Sequence, residues 1–220
     1  MEMLDDKLNW LKSEVVKFAM HVEHMIEKSI TALAENNKEM LLDVIERDEA
    51  EANRLELEFD EACIGMIAQF EPKAKQLRLI MMVNKTSADL ERMADHGVNI
   101  AQSALRLLDL PPVKPFIDLP RMAQLTIKML KDSIMAFINE DCNLAHDICQ
   151  RDSIIDAVRD QNIRVLITYM ISKPSTIETS LELLTISRNL ERIADLTTNI
   201  CEEIIFIVDG TNIKHQQSSD

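Results

Sequence analysis

The feature that most constrains this chain is an internal repeat. Met25 to Asp48 aligns with Met129 to Asp152 without a gap, with identities at Met25/Met129, Ser29/Ser133, Ile30/Ile134, Ala32/Ala136, Asp43/Asp147, Arg47/Arg151 and Asp48/Asp152. Further on, Leu90-Glu91-Arg92-Met93-Ala94-Asp95 recurs as Leu190-Glu191-Arg192-Ile193-Ala194-Asp195, and both copies continue to Asn-Ile, at Asn99-Ile100 and Asn199-Ile200. Pro72 and Pro174 fall at equivalent places. Whatever the first half folds into, the second must fold into again, in the same order. A unit of about 100 residues is long enough to bury its own core.

The repeated unit reads as three helices. Leu4, Leu8, Leu11, Val15, Phe18, Val22, Met25, Ser29 and Ala32 alternate spacings of four and three, which predicts a helix over about Asp5 to Glu35. Asn36-Asn37 breaks it. A second seam, Leu41, Ile45, Asp48, Ala52, Leu55, Phe59, Ala62 and Met66, runs towards Pro72, and a third helix follows from about Lys73 to Leu108. The only proline cluster, around Leu110 to Pro115, marks the boundary between halves. Helices four to six are expected over about Pro120 to Asn139, Asn143 to Ile171 and Ser175 to Asp209, with Gly210 as the C′ residue and a polar tail after it. The expected fold is all-α: two tandem three-helix bundles, over residues 1–110 and 116–210, with a tail over 211–220. Short connections make neighbouring helices antiparallel. Only three glycines interrupt the chain, which suits long helices.

The formal charge is −14, from 38 acidic and 24 basic residues. A polyanion would be repelled, so nucleic acid is not expected as a partner. No apolar run approaches the length of a membrane span and no signal peptide is evident, so a cytoplasmic protein is expected. The four cysteines form no Cys-x-x-Cys pair, in keeping with a reducing compartment. There is no Gly-rich phosphate loop, no Gly-x-Ser-x-Gly elbow and no His-Glu-x-x-His. No His has a Glu three residues before it, which removes the Glu-x-x-His element of ferritin-like di-iron bundles. His21 and His24 read as surface residues. No catalytic residue is assigned.

The acidic residues of the repeat carry the chemistry. Glu91, Asp95, Asn99 and Gln102 share one helix face, and Glu191, Asp195, Asn199 and Glu202 repeat it. Carboxylates one turn apart repel, and an oxygen-loving cation between them removes that cost. The middle helices bring a complementary set: Asp152 and Asp156 in the second half, and Asp48, Glu49 and Asn53 in the first, with one residue of ambiguity in register. Asn53 stands where the second half has Asp156, so the first half looks poorer in ligand charge. Two readings remain. One is metal held by these oxygens; Mg²⁺, Ca²⁺, Mn²⁺ or iron suits them better than structural zinc does. The other is a structural ion-pair network with Arg92 and Arg192.

At these residues the chain resembles the PhoU family. The doubled Leu-Glu-Arg-Met/Ile-Ala-Asp-x-x-x-Asn-Ile motif, the paired three-helix layout and Leu77-Arg78 before the first motif all look like it, over about Leu4 to Gly210. The resemblance implies carboxylate-bound metal, iron or zinc in multinuclear clusters. It implies a cytoplasmic homodimer that restrains phosphate-starvation genes and links the ATPase subunit of the phosphate ABC transporter to a sensor histidine kinase. Leu196 and Gln102 depart from it, standing where His and Glu are usual. A metal-dependent phosphoesterase and a PhoU-like regulator of a different anion transporter are the alternatives.

Overall fold

A computed structural model describes residues 2–113 and 118–209. Gly210, the polar tail, and Lys114 to Ile117, Pro115 of the proline cluster included, lie outside the described residues. The helices are α1 (Glu2–Glu35), α2 (Lys38–Asp43), α3 (Glu49–Phe70), α4 (Lys75–Leu107), α5 (Asp118–Asn139), α6 (Cys142–Ser172) and α7 (Ile177–Asp209). A π turn over Val44–Asp48 joins α2 to α3, and a 3₁₀ turn over Pro174–Thr176 leads into α7. Among the described residues there is no strand. The chain is all-α, as the repeat predicts: α1, α2/α3 and α4 form one antiparallel set, and α5, α6 and α7 the other.

The repeat is visible in the turns. Asn36 and Glu140 both take positive φ, at 54° and 53°. Just after each, the N–H of Asn37 bonds to Ala32 O at 2.8 Å and that of Asp141 to Ala136 O at 2.9 Å. These are six-to-one bonds closing a Schellman turn. The same two residues then cap the next helix, Asn37 accepting from Met40 N at 3.2 Å and Asp141 from Leu144 N at 3.0 Å. One five-residue stretch thus ends one helix and starts its antiparallel neighbour.

The two sets share their interior. Helix α7 packs extensively on both α6 and α4, and α1 packs on α4 and also on α5. Helices α1, α4, α7 and α5 make a four-helix centre, with α3 lying on α4 and α6 on α7 and α5. Helix α4 is buried on more than one side, through Leu90, Met93, Gly97, Ile100, Ala101 and Ala104 among others. The side of α4 that stays exposed carries Arg92, Asp95, Asn99 and Gln102.

The π turn changes the middle helix of the first half. Leu41 and Val44 are buried, as are Ala145 and Ile148 exactly 104 residues later; beyond the turn the pairs become Ala52/Ile155 and Cys63/Leu166, 103 apart. One extra residue has been absorbed, which is what a π turn does. The seam therefore passes through Val44 and Cys63 rather than Ile45 and Ala62, both of which are half-buried. This fixes the register left open by the sequence. Beyond the turn Glu49 corresponds to Asp152, Asn53 to Asp156, and Glu56 to Arg159.

Candidate functional site

In the second half, α6 and α7 bring Asp152, Asp156, Glu191 and Asp195 to one face. Glu191 is buried, although charged, and the other three are half-buried. Burial, followed by the charges of Asp195, Asp156 and Glu191, pushes the Asp152 carboxyl up to about 6. One Asp152 oxygen, Oδ1, is buried with no hydrogen-bond partner. Burying a carboxylate oxygen without a partner is costly.

The remaining carboxylates have an internal partner. Arg159, one turn beyond Asp156 on α6, places Nη1 2.6 Å from Glu191 Oε1 and 2.8 Å from Asp156 Oδ1. Its Nη2 lies 2.9 Å from Asp160 Oδ1. Arg192 pairs with Asp195 at 3.0 Å and lies 3.7 Å from Glu191. The sequence reading named Arg192 but missed Arg159. The i, i+3 spacing from Asp156 to Arg159 was the available signal.

Asn199 and Glu202 follow on α7, both half-buried. Glu202 lies near the Cys149 and Cys201 thiols, whose mutual hydrogen bond lowers the Cys149 value and, with burial, raises that of Cys201. All four cysteines are free. His96 does not join the carboxylates: its Nδ1 lies 2.9 Å from Asn189 Oδ1 on α7. Leu196, at the matching position, is buried core.

The first half arranges the same residue types differently. Lys28 of α1, only 10% exposed, pairs with Asp43 and, at 2.8 Å, with Asp48. His21 is half-buried and bonded, its Nε2 donating to the Asp48 carbonyl at 2.8 Å, so it does not sit free on the surface as expected; His24 is exposed. Asp48 therefore already has a cation. The position matching Lys28 in the second half is Asp132, which pairs with Arg151 instead. An aspartate stands in the place of the lysine there, and Asp152 Oδ1 has no partner.

Glu91, by contrast, faces other acids. Burial raises its carboxyl, with Asp95, Glu56 and Glu49 adding to the effect and Arg92 opposing it. Glu56 is raised by burial, Asp60 and Asp95. Arg92 itself reaches Asp89, at 3.4 Å. The first half is thus not poor in acidic charge: Glu56 stands where the second half has Arg159. Asn53, Asp95 and Asn99 are exposed.

Two observations bear on whether these residues fit a metal. The donor set is all oxygen and short of positive charge at Asp152 and at Glu91, which suits a hard cation. Yet among the described residues no three His, Cys, Asp or Glu side chains converge tightly enough to hold one as they stand. By residue type, Asp152, Asp156, Glu191 and Asp195 would hold the ion in the second half, and Glu49, Glu56, Glu91 and Asp95 in the first. Asp48, held by Lys28, does not fit.

Among the described residues no helix is long and apolar enough to cross a membrane. Two stretches, residues 15–104 and 119–204, each match the PhoU domain. A phosphate-specific transport system accessory protein PhoU homolog of Aquifex aeolicus is 36% identical over 96% of this chain and 95% of its own length. The accessory protein PhoU of Escherichia coli is 34% identical over 95% of this chain and 86% of its own. The crystal structure of PhoU from Pseudomonas aeruginosa superposes with a TM-score of 0.88 at 29% identity, over 94% of this chain and 99% of that one. On the doubled domain and these full-length relatives, the chain belongs to the PhoU family.

Proposed function

We propose that this chain is a cytoplasmic regulator of phosphate uptake, working as a homodimer that contacts the transporter's ATPase subunit and a sensor histidine kinase and represses phosphate-starvation genes. The observation that carries this is the family match over both repeats, with relatives named as accessory proteins of the phosphate-specific transport system. Accessory proteins of this kind act by binding, and we assign no catalytic residue. Contacts of this type are commonly modest in area and transient.

The test is deletion in the native host. Starvation genes should become active at high external phosphate, and the tagged protein should retain the ATPase subunit. Continued repression, with neither partner retained, would remove the assignment. A phosphoesterase would show itself as ester hydrolysis by the metal-loaded protein that Asp195→Asn abolishes.

Part of the same proposal is that the carboxylate faces bind a divalent or ferric cation, iron or zinc as in the resemblance, with Mn²⁺, Mg²⁺ or Ca²⁺ acceptable to the same oxygens. The partnerless Asp152 oxygen and the mutual repulsion around Glu91 support it. When bound, the ion would supply positive charge on an acidic surface and so allow an anionic partner segment to dock. We expect the double variant Glu191→Gln, Asp195→Asn to lose about half of the metal found in the wild type by elemental analysis. Equal metal in the two proteins would show that the second-half assignment is wrong.

A further inference from the structure

We infer that Arg159 is a resident counter-ion of the second-half carboxylate face and competes there with a bound cation, so that the two halves of the molecule differ in their demand for one. The inference rests on the cation reading above and adds a rule for how each site is controlled. Arg159 Nη1 lies within 2.8 Å of carboxylate oxygens from two helices, Asp156 on α6 and Glu191 on α7. A guanidinium in that position occupies the space between the facing carboxylates that an ion would fill, and supplies the same sign of charge. It is tethered, so it offsets part of the charge of the face at all times. An ion that uses Glu191 and Asp156 must first displace it. Asp160, the other partner at 2.9 Å, gives the displaced guanidinium a place to remain paired outside the site.

The first half provides the contrast within one chain. Its middle helix is shifted one residue by the π turn, so the position of Arg159 is taken by Glu56. Glu56 brings a carboxylate where the second half has a guanidinium, and Arg92, next to Glu91 in the chain, pairs with Asp89 at 3.4 Å. Lys28 is committed to Asp43 and Asp48. The first-half face is therefore ungated and the second-half face is gated by its own arginine. This reverses the order expected from counting acids in the sequence.

The test is titration of the chelator-stripped full-length chain with Mn²⁺, followed by calorimetry and by electron paramagnetic resonance of the free ion. Wild type should show a tighter and a weaker site. Arg159→Met, which keeps the apolar stem, should tighten the weaker site about tenfold or more and lower the melting temperature of the metal-free protein. Glu56→Arg should abolish the tighter site and leave the weaker one in place. Unchanged affinities in Arg159→Met, with binding intact in wild type, would overturn the competition while leaving the cation reading standing. Absence of Mn²⁺ binding in both proteins would remove the cation reading and the competition with it.

Discussion

At the residue scale, Asp152 shows how a repeat can keep a residue and change its circumstances. Asp48 and Asp152 align in the letters, but the π turn puts Glu49 at the place of Asp152; Asp48 has Lys28 at 2.8 Å, while Asp152 keeps a buried oxygen without a partner. Asp152 holds its proton up to about pH 6 in the fold, but only up to about 4 in the unfolded chain. Its folded-state value is raised, so the native state binds the extra proton. Metal-free stability should therefore fall as pH rises from about 4 to about 6, and stay lower above that. Solvent screening of a half-buried group limits the penalty to roughly 1 kcal/mol. Asp152→Asn should thus stabilise the chelated protein by about that amount at pH 7.5 and by nothing at pH 4. Thermal melts at the two pH values check this; equal effects at both would refute it. The carboxylates of this site were legible because helical spacing puts i and i+4 on one face whatever the tertiary structure. Arg159 was not, because a long side chain finds its partner across a helix pair, and single-helix spacing is silent on what faces it.

The same limit holds at the scale of elements. All six helical spans were legible from apolar spacing and prolines, because a buried stripe and a helix stop are local properties. The π turn was not, since its one-residue slip leaves the letters of Val44 to Asp48 aligned with the second half and shows only in burial further along. Beyond the slip, α3 meets α1 through Phe59, whose ring stacks on Phe18 with centroids 6.0 Å apart and planes at 15°. Phe18 is fully buried and Phe59 is 4% exposed. Phe59→Ala removes the main aromatic contact between α1 and α3 and should cost about 3 kcal/mol in urea unfolding. Lys28→Met should cost less, about 2 kcal/mol, a value between those of exposed and buried pairs, because Lys28 and Asp48 keep some solvent. A Lys28→Met loss larger than that of Phe59→Ala would mean that the ion pair, and not the ring stack, fixes this helix to the rest.

At the scale of the whole molecule, the repeat suggests two bundles that could each stand alone, and the packing argues against it. The buried side chains form one cluster running from Leu4 on α1 to Ile205 on α7. Helices α4 and α7, the third of each set, pack on one another, and α1 packs on α5. Polar contacts cross the same seam: Lys85 to the buried Glu203 at 3.0 Å, Arg106 to Glu182 at 2.7 Å, and Lys131 to Glu23 at 2.6 Å. The linker is tied as well, with Thr179 Oγ1 donating to the Pro111 carbonyl at 2.9 Å. The sequence could not reveal this, because periodicity shows that a helix has an apolar face and not how many neighbours share it. Separating the halves would bare much of α4 and α7 to water and leave Glu203 without Lys85. Folding stability is a small difference between large opposing terms, so losing one wall of its core should be decisive for either half. We therefore expect the full chain to unfold in a single calorimetric transition, with calorimetric and van't Hoff enthalpies equal. Residues 1–110 expressed alone should keep helical circular dichroism but bind a hydrophobic dye and melt without a cooperative midpoint. Two resolved transitions, or a fragment with a sharp melt of its own, would show that the repeat marks independent domains and that the shared core adds little.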